Sequence, residues 1–254
     1  YLLVNMLVET DSLWFEDKSI ETGIAHPEEA YYNASFADYD NDGMLDIFLA
    51  GLASDGWAPS LLYRNIGSES NPLIYEEVSE AAGIFSMLGM NIVTGAWGDY
   101  DNDGDVDVIT GTTSTFPVFL YQNNSDGTFT EVAEQAGLGD SFGSCRGTVW
   151  ADYDNDGDLD LYIARAKYDE LPGMDISELW RNDDGIFHIV ESASLVGRTF
   201  RGVGWGDYDN DGDLDLYLAE EGRDDVLFRN DGNDTFVDVA STIGLTQYDS
   251  PDGW

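Results

Sequence analysis

Asp207-Tyr208-Asp209-Asn210-Asp211-Gly212-Asp213-Leu214-Asp215 occurs four times in nearly the same form, the other copies starting at Asp38, Asp99 and Asp152. Each copy sets carboxylates at positions 1, 3, 5 and 9 and a glycine at position 6. The carboxylates are Asp38, Asp40, Asp42 and Asp46; Asp99, Asp101, Asp103 and Asp107; Asp152, Asp154, Asp156 and Asp160; and Asp207, Asp209, Asp211 and Asp215. Position 7 is Asp105, Asp158 or Asp213 in three copies and Met44 in the first, so this position is expected to offer its backbone carbonyl. Oxygen-only donors in a flexible loop are what calcium prefers, so about four ions, one per loop, are the expected cofactor. Crowded carboxylates repel one another when no cation is present.

The rest of each loop supports the same reading. Gly43, Gly104, Gly157 and Gly212 stand where a sharp turn calls for a positive φ. Asn41, Asn102, Asn155 and Asn210 tolerate that conformation and bond local backbone. Leu45, Val106, Leu159 and Leu214 at position 8 are expected to point into the core and anchor the loop. An EF-hand shares the first six positions but needs a bidentate glutamate at position 12 and flanking helices. Position 12 here is Leu49, Thr110, Ile163 or Leu218, and the runs around it are rich in strand formers.

Composition bounds the class. At 254 residues with 43% hydrophobic content and seven tryptophans, the chain can bury a large core, so its net charge of −41 does not signal disorder. That acidity argues against nucleic acid and anionic membranes as partners. No run of eighteen apolar residues is present, so membrane insertion is not expected. Cys145 is the single cysteine, which leaves calcium to do the stapling and places the protein outside the cytoplasm, where calcium is abundant.

The loops start 61, 53 and 55 residues apart, a repeat length typical of stacked or radial architectures. Each period holds a strand before the loop, an apolar strand after it and a segment of variable length. A third strand follows, ending Leu62-Tyr63-Arg64-Asn65, Leu120-Tyr121-Gln122-Asn123, Leu179-Trp180-Arg181-Asn182 or Leu227-Phe228-Arg229-Asn230. A turn leads to a fourth strand bearing Tyr75, Phe129, Phe187 or Phe236, and a short helical turn ends the period. Four short antiparallel strands per period make a propeller blade. The expected fold is therefore an all-β propeller with full blades at 33–84, 91–138, 145–196 and 201–245, a partial blade at 1–24 and the start of another at 246–254. So divided, the chain reads as part of a longer protein.

The nonapeptide, the Leu-(Tyr/Phe)-Arg-Asn strand and the Thr-Phe-x-(Asp/Glu)-Val turn resemble the FG-GAP/VCBS repeats of integrin α-subunit propellers. They are most similar to bacterial secreted relatives and the cartilage acidic protein family. The resemblance covers nearly the whole chain. It implies a propeller, seven-bladed in many members, with calcium in the loop between the first and second strands and roles in adhesion, matrix or glycan binding.

In such a fold the calcium loops share one face with the turns between the third and fourth strands. The variable segments lie on the opposite face, where specificity usually resides. Trp57, Arg165, Lys167, Tyr168 and Arg223 are the candidates there for stacking on sugars or pairing with acids. Against that stands the plainer expectation that each packs beneath its loop or forms a solvated ion pair. Arg64, Arg181 and Arg229 repeat at one blade position and are read as structural.

No enzyme is expected: His26 and His188 are the only histidines and neither sits in a catalytic pattern, and Cys145 is read as a buried, inert thiol. Asn33, Asn123 and Asn233 fit the glycosylation acceptor pattern. The expected function is an extracellular scaffold for a protein or glycan partner, or for copies of itself. Two alternatives are a subunit of a filament or surface layer and the non-catalytic propeller of a larger secreted enzyme.

Overall fold

The computed structural model describes residues 2–5, 15–24, 31–51, 59–68, 70–71, 73–84, 91–113, 116–165, 176–191, 200–220 and 224–245. These form four antiparallel sheets of four strands, each a meander that hydrogen-bonds in chain order. The first sheet is β3 (Tyr31–Ala37), β4 (Asp46–Gly51), β5 (Leu61–Asn65) and β6 (Tyr75–Glu77), followed by the one-turn helix α1 (Ser79–Ala82). The second is β7 (Ile92–Gly98), β8 (Asp107–Thr112), β9 (Phe119–Asn123) and β10 (Phe129–Glu131). The third is β11 (Cys145–Ala151), β12 (Asp160–Arg165), β13 (Glu178–Asp183) and β14 (Ile186–Ile189). The fourth is β15 (Phe200–Gly206), β16 (Asp215–Glu220), β17 (Val226–Asn230) and β18 (Phe236–Asp238). Ahead of them β1 (Leu3–Asn5) and β2 (Phe15–Asp17) pair as a two-stranded sheet, where the sequence places the partial blade.

The first strands are irregular near their starts. Each carries a bulge one residue in, at Tyr31/Asn33, Ile92/Thr94, Cys145/Gly147 and Phe200/Gly202. A bulge slips the inside–outside alternation by one residue.

The cores lie between sheets rather than within them. One cluster joins Phe48 and Leu62 of the first sheet to Ile92, Val108 and Phe129 of the second. The next joins Ile109 and Leu120 to Leu161, Ile163 and Phe187, and a third joins Tyr162 and Leu179 to Leu216, Leu218 and Phe236. The strands β3, β7, β11 and β15 pack in that order along one edge of the array. Sheets that bury both faces against neighbours read as continuous apolar runs, and β4, β8 and β12 are buried along their whole length.

Glycines set the sheet spacing. Gly23, Gly83 and Gly137 end successive units at φ of +89°, +81° and +92°. A Cβ on each would lie 2.7–2.9 Å from the carbonyl oxygen of Tyr75, Phe129 or Phe187, at the start of the next unit's fourth strand. The sequence predicts Gly137 as a helix cap. The same atoms also form the closest backbone approach between neighbouring sheets.

Candidate metal centres

Each nonapeptide folds by bonding its own backbone. Asp38 accepts the N–H groups of Asp42 and Gly43 at 3.0 and 2.9 Å, and Asp99, Asp152 and Asp207 do the same for their loops. The position-5 carboxylates Asp42, Asp103, Asp156 and Asp211 each accept the N–H of position 7. Asn41, Asn102, Asn155 and Asn210 adopt φ between 57° and 62°, and the position-6 glycines lie between 88° and 102°. Both were expected from residue type.

Carboxylate oxygens converge in all four loops. The groups are Asp38, Asp40 and Asp42; Asp99, Asp101 and Asp107; Asp152, Asp154 and Asp160; and Asp207, Asp209 and Asp215, with ligand atoms within 4.8 Å of one another in each. Oxygen-only clusters of this kind suit a hard cation. A buried acceptor supports the fit: Asp40 Oδ1 accepts no hydrogen bond. Asp46 lies outside the first group, as do Asp103, Asp156 and Asp211 at position 5 of the later loops.

Position 9 anchors the loop in addition to position 8, where Val106 packs against the core between the first and second sheets as expected. Leu45 is 56% exposed, which corrects the expectation that it enters the core. Asp46, Asp107, Asp160 and Asp215 instead open the second strands with at most 1% exposure. One oxygen of each accepts the N–H of the position-2 tyrosine, and the other accepts the N–H of the asparagine ending the third strand. A carboxylate satisfied by two backbone donors can be buried where leucine would leave those donors unpaired. Burial pushes Asp46 up to about 6 and Asp107 and Asp160 up to about 7, against the pull of the N–H bonds and with neighbouring carboxylates adding to the rise.

The position-7 side chains face the neighbouring loop. Asn41 Nδ2 donates to Asp105 at 2.6 Å, Asn102 to Asp158 at 2.8 Å and Asn155 to Asp213 at 3.0 Å. Each of the first three loops is thereby latched to the one in the next sheet. Asp105, Asp158 and Asp213 are not in the carboxylate groups, and Met44 donates its N–H to Asp42 within its own loop.

Sequence reasoning assigned no role to Asn65, Asn182 and Asn230 and only an acceptor pattern to Asn123, although their recurrence was visible. Asn123 Nδ2 donates to Tyr39 O of the preceding sheet's loop at 2.7 Å and to Val106 O of its own at 3.2 Å. Asn182 and Asn230 bridge Tyr100 O and Tyr153 O in the same way. The position-2 tyrosines complete the seam, with Tyr39 stacked on Trp97 at 6.4 Å and Tyr153 on Trp205 at 6.1 Å. Asn123 is 3% exposed with its amide hydrogens engaged, which disfavours it as a glycan acceptor.

Of the candidates for the opposite face, Arg165 proves to be fully buried. Its guanidinium donates to Gly143 O at 2.8 Å, Ser141 Oγ at 2.5 Å and Glu178 Oε2 at 3.0 Å, so it ties the third sheet to the chain before it. It therefore presents no ligand surface, and the plainer expectation holds there. Trp57, Lys167, Tyr168 and Arg223 lie outside the described residues, as do His26 and residues 246–254. Burial pushes the Cys145 thiol up to about 11, and His188 sits on edge strand β14 with Nε2 3.7 Å from Asp183.

A family model described as FG-GAP-like repeat matches residues 38–110, 99–163 and 207–254, together well over half of the chain. The chain belongs to that repeat family. It is 24% identical over 215 residues to cartilage acidic protein 1 of Xenopus tropicalis, and 26% identical over 243 residues to the Mus musculus protein. These alignments take in 82% and 87% of this chain but only 32% and 37% of the relatives, so the chain spans about a third of their length. Among solved structures, the Vibrio cholerae biofilm matrix protein Bap1 aligns with 14% identity and a TM-score of 0.47, over 83% of this chain and 31% of that one. Among the described residues no helix is long and apolar enough to cross a membrane.

Proposed function

We propose that the chain is a set of blades from an extracellular β-propeller in which calcium staples the sheets, and that it acts as an adhesion or ligand-binding scaffold for a protein or glycan. The observation that carries this reading is the fourfold recurrence of a carboxylate cluster beside the seam between sheets. The ions would be held by Asp38, Asp40 and Asp42 in the first loop and by positions 1, 3 and 9 in the others. Each would neutralise carboxylates whose burial otherwise opposes ionisation. The relatives' names carry the same acidic character, and the net charge of −41 leaves the surface acidic even with every loop filled. A scaffold rather than a catalyst fits the buried thiol of Cys145 and the edge position of His188.

Calorimetric titration with calcium, alongside thermal unfolding with and without chelator, tests the reading. About four sites are expected, together with a loss in chelator of roughly 2.7 kcal/mol per site at a hundredfold excess over the dissociation constant. No binding, or binding without a change in stability, would sink it.

A further inference from the structure

The four loops are not equivalent, and the cause is the residue two places after the third-strand arginine. In the third and fourth sheets that arginine is turned away from the loop. Arg181 Nε and Nη2 both reach Asp183 at 3.0 Å, and Arg229 Nε and Nη2 reach Asp231 at 2.6 and 3.1 Å. These are two-point contacts, the geometry a guanidinium prefers. Arg181 has a second, longer contact to Asp234 at 3.4 Å. In the first sheet the residue two places on is Ile66, which is 47% exposed and offers no acceptor. Arg64 falls instead on the position-3 carboxylate of its own metal loop, with Nε 2.6 Å from Asp40 Oδ2. In the second sheet the same place is taken by neutral Gln122, which donates to Asp101 Oδ2 at 2.6 Å.

We infer that Arg64 is an internal counter-cation of the first loop, so that a metal ion there competes with a charge already present, and that Ile66 is what leaves Arg64 free to do this. The inference rests on the calcium reading above. Asp40 is about nine-tenths buried while Arg64 is about half exposed. The pair is therefore less screened than a surface ion pair, and the arginine can still leave toward solvent. A cleft of about 310 Å³ lined in part by Asp42, Asp105, Ser125 and Asp126 adjoins Arg64 and can receive the displaced guanidinium. The first loop becomes the weakest and most exchangeable site, while Asp183 and Asp231 keep the third and fourth loops free for metal.

Calcium titration of the full chain by calorimetry tests this with four variants. In the parent protein one site should be weaker than the rest, and Asp38→Asn should abolish that one. Arg64→Gln should tighten it by about tenfold, since a unit charge is removed next to a divalent ion. Ile66→Asp, which supplies the acceptor found in the third and fourth sheets, should tighten it as well. Arg64→Lys, which keeps the charge, should leave the site weak and so separates charge from packing. Four calcium ions bound with affinities that neither Arg64→Gln nor Ile66→Asp alters would overturn the inference while leaving the calcium reading intact. No calcium bound at any loop would overturn both. If Arg64→Gln does not fold, Asp231→Ile decides: release of Arg229 onto Asp209 should weaken the fourth site about tenfold, and an unchanged site refutes the idea.

Discussion

Residues 152–160 and 207–215 are the same nine amino acids, and they meet different surroundings. Their internal bonds match: Asp152 and Asp207 each accept two N–H groups of their own loop, and both loops bring positions 1, 3 and 9 together. Yet Tyr153 is 1% exposed and Tyr208 is 37% exposed. Tyr153 lies against Trp205 and Phe236 of the following sheet, whereas no sheet covers Tyr208 among the described residues. Nine residues suffice to shape the loop, then, while the neighbouring sheet decides how much the loop contributes to stability. Phe36, at the other end of the array, makes the same point. It occupies the place of Trp97 and is 50% exposed.

The largest effect expected from this contrast comes from truncating the two tyrosines. Tyr153→Ala should cost about 3–5 kcal/mol, as for other large aromatic groups removed from a core, and Tyr208→Ala under about 1 kcal/mol. Urea unfolding of the calcium-loaded protein measures both. Equal costs would show that the loop itself, not the seam, holds the energy.

The response to pH tests the buried position-9 carboxylates of the two seams. The carboxyls of Asp107 and Asp160 titrate near 7 in the folded, metal-free protein, against about 3.8 when unfolded. The folded state thus holds more protons through this window. Metal-free stability should therefore be highest below about pH 4 for these groups and fall by up to about 1.4 kcal/mol per pH unit for each, until pH passes 7. Metal reverses the trend, because ligands must be ionised to bind it. Calcium titrations at pH 6 in buffers of different ionisation enthalpy should register proton release. A metal-free protein that gains stability as pH rises from 5 to 7 would contradict the burial of these groups.

The smallest effect concerns the latch. Asn155→Ala removes the bond to Asp213 and should cost about 1 kcal/mol, while Asn210→Ala, whose side chain meets no acceptor among the described residues, should cost less in the same unfolding assay. A Gly replacement at either site keeps the positive φ accessible and separates the latch from backbone strain.

Much of the fold was legible because each repeat carries a full set of local signals. The position-6 glycines, the αL asparagines and the strand-forming runs all act within a few residues. The position-1 and position-5 carboxylates find their N–H partners two to five residues on, so their place in the loop follows from spacing alone. Leu45 was misread because an apolar residue ahead of an aspartate signals burial in general, but not on which side of the strand start the core begins. For Arg165 the plainer of two expectations held, and the choice needed the fold because a cation in a loop looks exposed until Ser141, Gly143 and Glu178 are brought around it from up to 24 residues away.

The sequence by itself determined the repeat, the strands, the turn chemistry and the family to which the chain belongs. Each rests on residues close together in the chain, where geometry follows from φ/ψ preference and side-chain length. Only the tertiary structure decided which carboxylates converge, which one anchors the loop, which latch successive loops and which arginine lies on a carboxylate cluster. The latches and seam bonds join partners 56 to 84 residues apart, such as Asn123 reaching Tyr39 across a sheet boundary, and the anchor and Arg64 contacts join partners up to 24 residues apart. The energy of such a contact depends on burial and on competing partners, as Ile66 and Asp183 show for two arginines at the same blade position. Neither burial nor competition is a property of a residue or its neighbours in sequence, so each appears only once the sheets are packed.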